Sequence, residues 1–374
     1  MYSKLFSVHL TYAPADKQIT RNGKTLIEQV QDKCPTLADP AKAFYVPSLH
    51  MSNGHLQTIY LSTRHSKPAG CPVNYKREVF CFADGGKAAI DWSLPHAGVT
   101  PDQPLIILIS GIGGGSYNYF VRSFAHLIGQ PPYGYQVAVL HSRGCNGVDL
   151  ATPKSFHSGM TEDLREFMNY VVKVKPGTPT IGVGFSLGAN ILTKYIGEEG
   201  ENCPFIAAIS VCNPFDINAT MKLMSKPSFK NRYMYAAGLT KKLIKGFVKN
   251  KSVIMAGQPD LDAEKIVAAR TMNEFNEAYA VKVFGYESAE QLNVSGSSVH
   301  YLKNIKVPTL FINALNDPIC DKSTIPYEEI ANNPYLLLAH TKYGGHLAYF
   351  EGLSLKPWLP KQLAQFVQAM VEWK

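Results

Sequence analysis

Thr180-Ile181-Gly182-Val183-Gly184-Phe185-Ser186-Leu187-Gly188-Ala189-Asn190-Ile191-Leu192 decides how the chain is read. Residues 180–185 are a short apolar run of strand length, and from Leu187 to Gly197 the apolar residues recur at helical spacing. A strand that becomes a helix through Gly-x-Ser-x-Gly carries its serine at the apex of a sharp turn, and Gly184 and Gly188 remove the side chains that would crowd it. A serine hydroxyl is a weak nucleophile at neutral pH. It needs a base within reach and donors that hold the oxyanion. The Leu187 N–H, at the start of the helix, stands where unpaired donors and the helix dipole favour negative charge.

Outward from this turn, strands are expected at 75–82, 88–92, 105–110, 136–141, 180–185, 206–211, 309–313 and 335–339. Helices are expected at 117–127, 162–174, 187–197 and 361–372. Alternating strands and helices build a mostly parallel sheet covered on both faces, an α/β architecture. The continuously apolar runs Leu105–Ile109 and Val137–Leu140 agree with that burial.

Candidate partners for Ser186 follow from chain order. Ser110-Gly111-Ile112-Gly113-Gly114-Gly115-Ser116 follows an apolar strand, and its Ile112 N–H is the expected second oxyanion donor. The loop lacks the Gly-Lys-Ser/Thr ending of a phosphate-binding loop and the spacing of a dinucleotide site. The expected acid is Asp317, in the turn Asn316-Asp317-Pro318 after a strand, with Asp321 as competitor. Only His340 and His346 follow Asp317, so the order Ser, Asp, His leaves these two as the base. His346, reached through Tyr343-Gly344-Gly345, is preferred. The chemistry expected of Ser186, His346 and Asp317 is attack on an acyl carbonyl, an acyl-enzyme and its hydrolysis by water.

Composition bounds the rest. A chain of 374 residues with 45% hydrophobic content buries a large core. Its seven cysteines include no Cys-x-x-Cys pair, so reduced thiols and no metal or other cofactor are expected. No apolar run has the length of a membrane span, and Met1-Tyr2-Ser3-Lys4 begins no evident signal sequence, so a cytoplasmic location is expected. The net charge of +8 is local. Between Ile217 and Pro259 there are nine basic residues and no acidic one, and the rest of the chain is nearly balanced. This argues against a nucleic-acid-binding fold. Three parts are expected: residues 1–74 as a segment wrapping the core, 75–213 with 307–374 as the core, and 214–306 as a helical cap between the sixth and seventh strands. In the cap, Leu239, Leu243 and Phe247 share a helical face while Lys241, Lys245 and Lys249 line another. The expected role is a cap helix with solvated lysines; the second reading lays the basic face on an anionic membrane.

Taken together, Asn53-Gly54-His55-Leu56-Gln57-Thr58, Ser142-Arg143-Gly144-Cys145, Thr161-Glu162-Asp163-Leu164, the Ser186 turn, Asn316-Asp317-Pro318 and Gly345-His346 resemble one subfamily of α/β-hydrolases. It holds the bacterial YheT-like proteins and related animal and plant hydrolases with monoacylglycerol-lipase or carboxylesterase activity. The resemblance covers residues 40–370 and implies the α/β-hydrolase fold, an eight-stranded mostly parallel sheet flanked by helices, a triad of Ser186, Asp317 and His346, and hydrolysis of lipid-like acyl esters. Two departures stand out. The glycine loop begins Ser110-Gly111 where the family often has His-Gly, and the His-x4-Asp pattern linked to acyl transfer is absent. Arg143 and Asp163 are expected to pair, and His55 and Gln57 to buttress the fold. The alternatives are a ligand-binding protein on a hydrolase scaffold, and amide or thioester hydrolysis by the same triad.

Overall fold

The computed structural model describes residues 5–64, 71–93, 103–225 and 235–374. Lys226, Lys230 and Arg232 of the basic stretch lie outside the described residues. The main sheet contains β1 (His9–Tyr12), β2 (Tyr75–Cys81), β3 (Lys87–Ser93), β4 (Leu105–Ile109), β5 (Gln136–Leu140), β6 (Thr180–Phe185), β7 (Ala207–Val211), β8 (Thr309–Ala314) and β9 (Leu336–Thr341). Across the sheet they run β1-β9-β8-β7-β6-β4-β5-β3-β2. The centre, from β5 to β9, is parallel, while β3 runs antiparallel to β5, β2 to β3, and β1 to β9.

All eight expected strands form. The ninth, β1, comes from the segment expected only to wrap the core, and it pairs His9 with His340 and Tyr12 with Leu337. It is four residues long and half-exposed at the sheet edge, so it lacks the alternation that marks a strand in sequence.

Strand pleating divides the core into two layers. Ile106 and Leu108 face one side of β4, packed with α1 (Leu26–Lys33), α2 (Gly54–Arg64), α3 (Tyr119–Ile128) and the C-terminal helix Leu359–Glu372. Leu105, Ile107 and Ile109 face the other, against α4 (Glu162–Val174) and α5 (Leu187–Glu199). Both faces of the central strands are therefore covered, as their unbroken apolar runs require. Helix α1 is capped by Thr25, whose hydroxyl accepts the Glu28 N–H while the Glu28 carboxylate takes the Thr25 N–H.

Residues 217–225 and 235–304 add short helices, and a separate apolar cluster includes Phe247, Ile254, Phe275, Tyr279 and Leu292. The basic amphipathic stretch forms α6 (Ala237–Lys249), with Phe247 buried and Lys241, Lys242, Lys245 and Lys249 exposed. Among the described residues no helix is long and apolar enough to cross a membrane.

Candidate active site

Ser186 joins β6 to α5 with φ 56° and ψ −120°, a left-handed backbone for a residue with a side chain. Such a conformation costs on the order of 1–3 kcal/mol and survives only where the surroundings hold it. Here they do. The Ser186 N–H donates to the Val211 carbonyl at 2.9 Å, and its own carbonyl accepts from Ala189 at 2.9 Å and Asn190 at 3.1 Å. The two flanking glycines are sterically required: a Cβ on Gly184 would lie 2.5 Å from the Gly188 carbonyl oxygen, and one on Gly188 2.2 Å from that of Ile109.

The Ser186 Oγ lies 2.8 Å from His346 Nε2, and His346 Nδ1 lies 2.8 Å from Asp317 Oδ2. Asp317 is almost fully buried, and its other oxygen accepts from Ile319 N–H at 2.8 Å and Cys320 N–H at 3.0 Å. A buried carboxylate bonded in this way orients the imidazole so that Nδ1–H faces Asp317 and Nε2 is free to accept the serine proton. The competitors stand elsewhere. Asp321 caps the short turn at 322–324, and His340 lies on β9, stacked on His9 and edge-on to Tyr327.

Other residues hold this hydrogen-bonded line of Ser186, His346 and Asp317 in place. The His346 N–H donates to Thr58 Oγ1 at 2.9 Å, and that hydroxyl donates to the Gly54 carbonyl at 2.7 Å. Gly345, at φ 58°, donates to Asn316 Oδ1 at 3.0 Å and approaches Gly54 so closely that a Cβ would lie 2.6 Å from its carbonyl oxygen. The 53–58 stretch thus supports the histidine loop. His55 bonds the Tyr235 hydroxyl at 3.0 Å, and buried Gln57 reaches Tyr45 and Met51. Arg143 binds Asp163 through two nitrogens at 2.9 and 2.7 Å, and also binds Asp84 at 2.6 Å.

The glycine loop turns through a Gly114 N–H to Gly111 carbonyl bond of 2.9 Å, and Ile112 and Leu187 line the same cavity as Ser186 and His346. A buried chain that sequence reasoning did not find braces this loop. Asn146 Nδ2 donates to the Gly114 carbonyl at 2.7 Å and to His141 Nδ1 at 2.6 Å. The other nitrogen of His141 donates to Asp91 Oδ2 at 2.9 Å, and Asp91 is also bound by Arg77 and Ser116. These partners hold the Asp91 carboxyl well below the usual range despite its burial. The one sequence cue was Cys145-Asn146-Gly147, a turn that follows a strand.

Cys212, Asp317 and His346 are the only described His, Cys, Asp and Glu residues grouped closely enough to hold a metal ion. Burial, together with the Asp317 charge, pushes the Cys212 thiol well above its ordinary value. The carboxylate and imidazole are already bonded to each other, so this donor set suits a proton relay better than a metal.

The profile of the alpha/beta hydrolase fold family matches residues 104–353. Over 96% of its length the chain is 29% identical to the monoacylglycerol lipase of Saccharomyces cerevisiae, covering 88% of that protein. It is 28% identical to Phospholipase ABHD3 of Mus musculus, covering 95% of this chain and 84% of the relative. It is also 28% identical to the medium-chain fatty acid ethyl ester synthase/esterase 2 of S. cerevisiae, with coverage of 89% and 86%. The solved structure of Est1E from Butyrivibrio proteoclasticus superposes with a TM-score of 0.50 at 13% identity, covering 79% of this chain and 99% of that one. With the strand order, the serine turn and a family match over two thirds of its length, the chain belongs to the α/β-hydrolase fold family.

Proposed function

We propose that the protein is a serine hydrolase that cleaves lipid-type carboxylic esters. One observation carries the reading: the unbroken line from Ser186 Oγ through the imidazole of His346 to Asp317, with both contacts at 2.8 Å and the serine on a strained turn. His346 Nε2 takes the Ser186 proton as Oγ adds to the ester carbonyl. The Ile112 and Leu187 N–H groups hold the oxyanion. Collapse expels the alcohol, which leaves with the proton returned by His346, and a water activated by the same nitrogen then releases the acid. Asp317 orients the imidazole and stabilises the imidazolium. Residues 75–213 and 307–374 act as the catalytic core, 214–306 as the cap and 1–74 as the wrapping segment.

Two facts support the lipid class. The relatives are named as a monoacylglycerol lipase, a phospholipase and a fatty acid ethyl ester esterase. The cavity beside Ser186, about 350 Å³, is lined mainly by apolar residues, among them Phe120, Met221, Met224, Leu239 and Leu347. The test is a panel of monoacylglycerols and nitrophenyl esters of graded chain length. Turnover by the wild type is expected, with kcat for Ser186→Ala lower by about 10⁴-fold or more. Equal turnover by the variant overturns the assignment. No turnover, with a lipid carried through purification, points to a binding protein instead.

A further inference from the structure

Two adjacent residues where β7 ends, Val211 and Cys212, are tied to Ser186, to the loop of His346 and to the turn of Asp317. The Val211 carbonyl accepts the Ser186 N–H at 2.9 Å. The Cys212 sulfur accepts the N–H of Leu347, just after His346, at 3.3 Å, and its S–H donates to the carbonyl of Gly345, just before His346, at a longer 3.9 Å. The Cys212 carbonyl accepts the Cys320 S–H at 3.3 Å, and the Cys320 N–H is one of the two donors on Asp317 Oδ1. The sheet itself holds this point, through a 2.8 Å bond from the Cys212 N–H to the Ile312 carbonyl of β8. Ser186, His346 and Asp317, far apart in sequence, thus share one anchor.

We propose that Cys212 is a positioning residue for the reaction: its sulfur holds the residues on both sides of His346 and so sets the reach of Nε2 to Ser186 Oγ. The assignment rests on the hydrolase reading given above. The histidine loop needs such a hold. Gly345 stands at φ 58° and Leu347 at φ 63°, so the base sits between two left-handed residues, and Cys212 itself stands at φ 50°. Backbone of this kind is costly for Leu347 and Cys212 and lasts only where partners over-determine it. Thr58 holds the His346 N–H and Asn316 the Gly345 N–H, and the sulfur completes the set at Leu347. Without it a buried N–H loses its acceptor, and the loop relieves that cost by shifting.

A thiol suits the place. It both donates and accepts, weakly and over long distances. Burial, with the Asp317 charge second, pushes Cys212 well above its ordinary value, so it brings no charge of its own beside the carboxylate. A second buried sulfur, that of Cys320, lies 3.8 Å from His346 Nδ1. Buried cysteines also serve as plain core filling, and Cys34 supplies the control. It is as fully buried as Cys212 in the same apolar layer, and its backbone bonds run to Val30, Leu37 and Ala38.

The measurement is kcat and KM for p-nitrophenyl octanoate, beside Tm, in Cys212→Ala, Cys212→Ser and Cys34→Ala. Cys212→Ala is expected to lower kcat by about tenfold or more with KM within about twofold, since a small misplacement of the base slows chemistry and leaves binding intact. Cys212→Ser keeps a donor and an acceptor and should fall between Cys212→Ala and the wild type. Cys34→Ala should keep kcat within about twofold, with its cost confined to Tm. An unchanged kcat in Cys212→Ala, or an equal loss in Cys34→Ala, overturns the assignment. Proton NMR reads the ring without substrate, through the far-downfield signal of the His346 Nδ1 proton facing Asp317, identified by its loss in His346→Gln. That signal is expected to move in Cys212→Ala and to stay in Cys34→Ala; a signal unmoved in Cys212→Ala also overturns the assignment. If Cys212→Ala does not fold, Cys212→Ser carries both readouts. If the signal moves as expected while the wild type hydrolyses no ester, only the hydrolase reading fails.

Discussion

At the scale of single residues, chain order and turn chemistry brought Ser186, Asp317 and His346 to attention, and their hydroxyl, carboxylate and imidazole stand in hydrogen-bond contact. The braces behind them were not legible. Thr58 supports His346 across 288 positions of sequence, and Asn146 ties the glycine loop to His141 and Asp91, and nothing local to those residues reports a long-range partner. The Asn146 amide uses its two hydrogens on the Gly114 carbonyl and His141 Nδ1, and the other nitrogen of His141 faces Asp91. That arrangement holds the Gly114 carbonyl, two residues after Ile112, whose N–H is the proposed oxyanion donor. Asn146 itself sits at φ 55°, so Asn146→Gly removes the side chain without adding backbone strain. Loss of an oxyanion donor costs about 10²–10³-fold, and loosening one costs less. Asn146→Gly is expected to lower kcat by about tenfold with KM within about twofold and little change in Tm. A fall in Tm with kcat intact would make Asn146 a fold residue only.

At the scale of elements, the strands and helices around Ser186 were readable because buried parallel strands are written as unbroken apolar runs and helices as periodic ones. The expected 162–174 helix has the observed ends, whereas β1 was missed because an edge strand of four residues carries too short a pattern. The cap helix α6 was readable by its amphipathic spacing, yet its charge is less free than the sequence suggests: Lys249 pairs with Asp149 at 2.5 Å, and Lys222, on the neighbouring helix, with Glu290 at 3.3 Å. Exposed Lys241, Lys242 and Lys245 remain as its basic face. A lysine near an anionic bilayer contributes about 1 kcal/mol, so the membrane reading predicts that Lys241→Gln with Lys245→Gln weakens co-sedimentation with phosphatidylserine vesicles by roughly tenfold or more. The same binding should fade as salt rises. Vesicle binding that is absent, or indifferent to both changes, leaves these lysines as a solvated surface.

At the scale of the whole molecule, the sheet sets the serine turn, the Asp317 turn and the histidine loop at the carboxyl ends of β6, β8 and β9, where a parallel sheet gathers its loops. Described helices within 217–225 and 235–304 contribute Met221, Met224, Leu239 and Met272 to the cavity beside Ser186. The core could be inferred from pattern alone. The cavity beside Ser186 could not, because its wall joins Ile112 to Met224, Leu239 and Met272, which are far from it in sequence. The central claim is that this arrangement makes Ser186, and no other residue, a nucleophile. Labelling of the folded protein with a fluorophosphonate, read by intact mass and peptide mapping, tests it most directly. The account predicts a single adduct on Ser186, absent from Ser186→Ala and formed far more slowly in His346→Ala; an unlabelled wild type, or a Ser186→Ala variant that still takes up the probe, would contradict it.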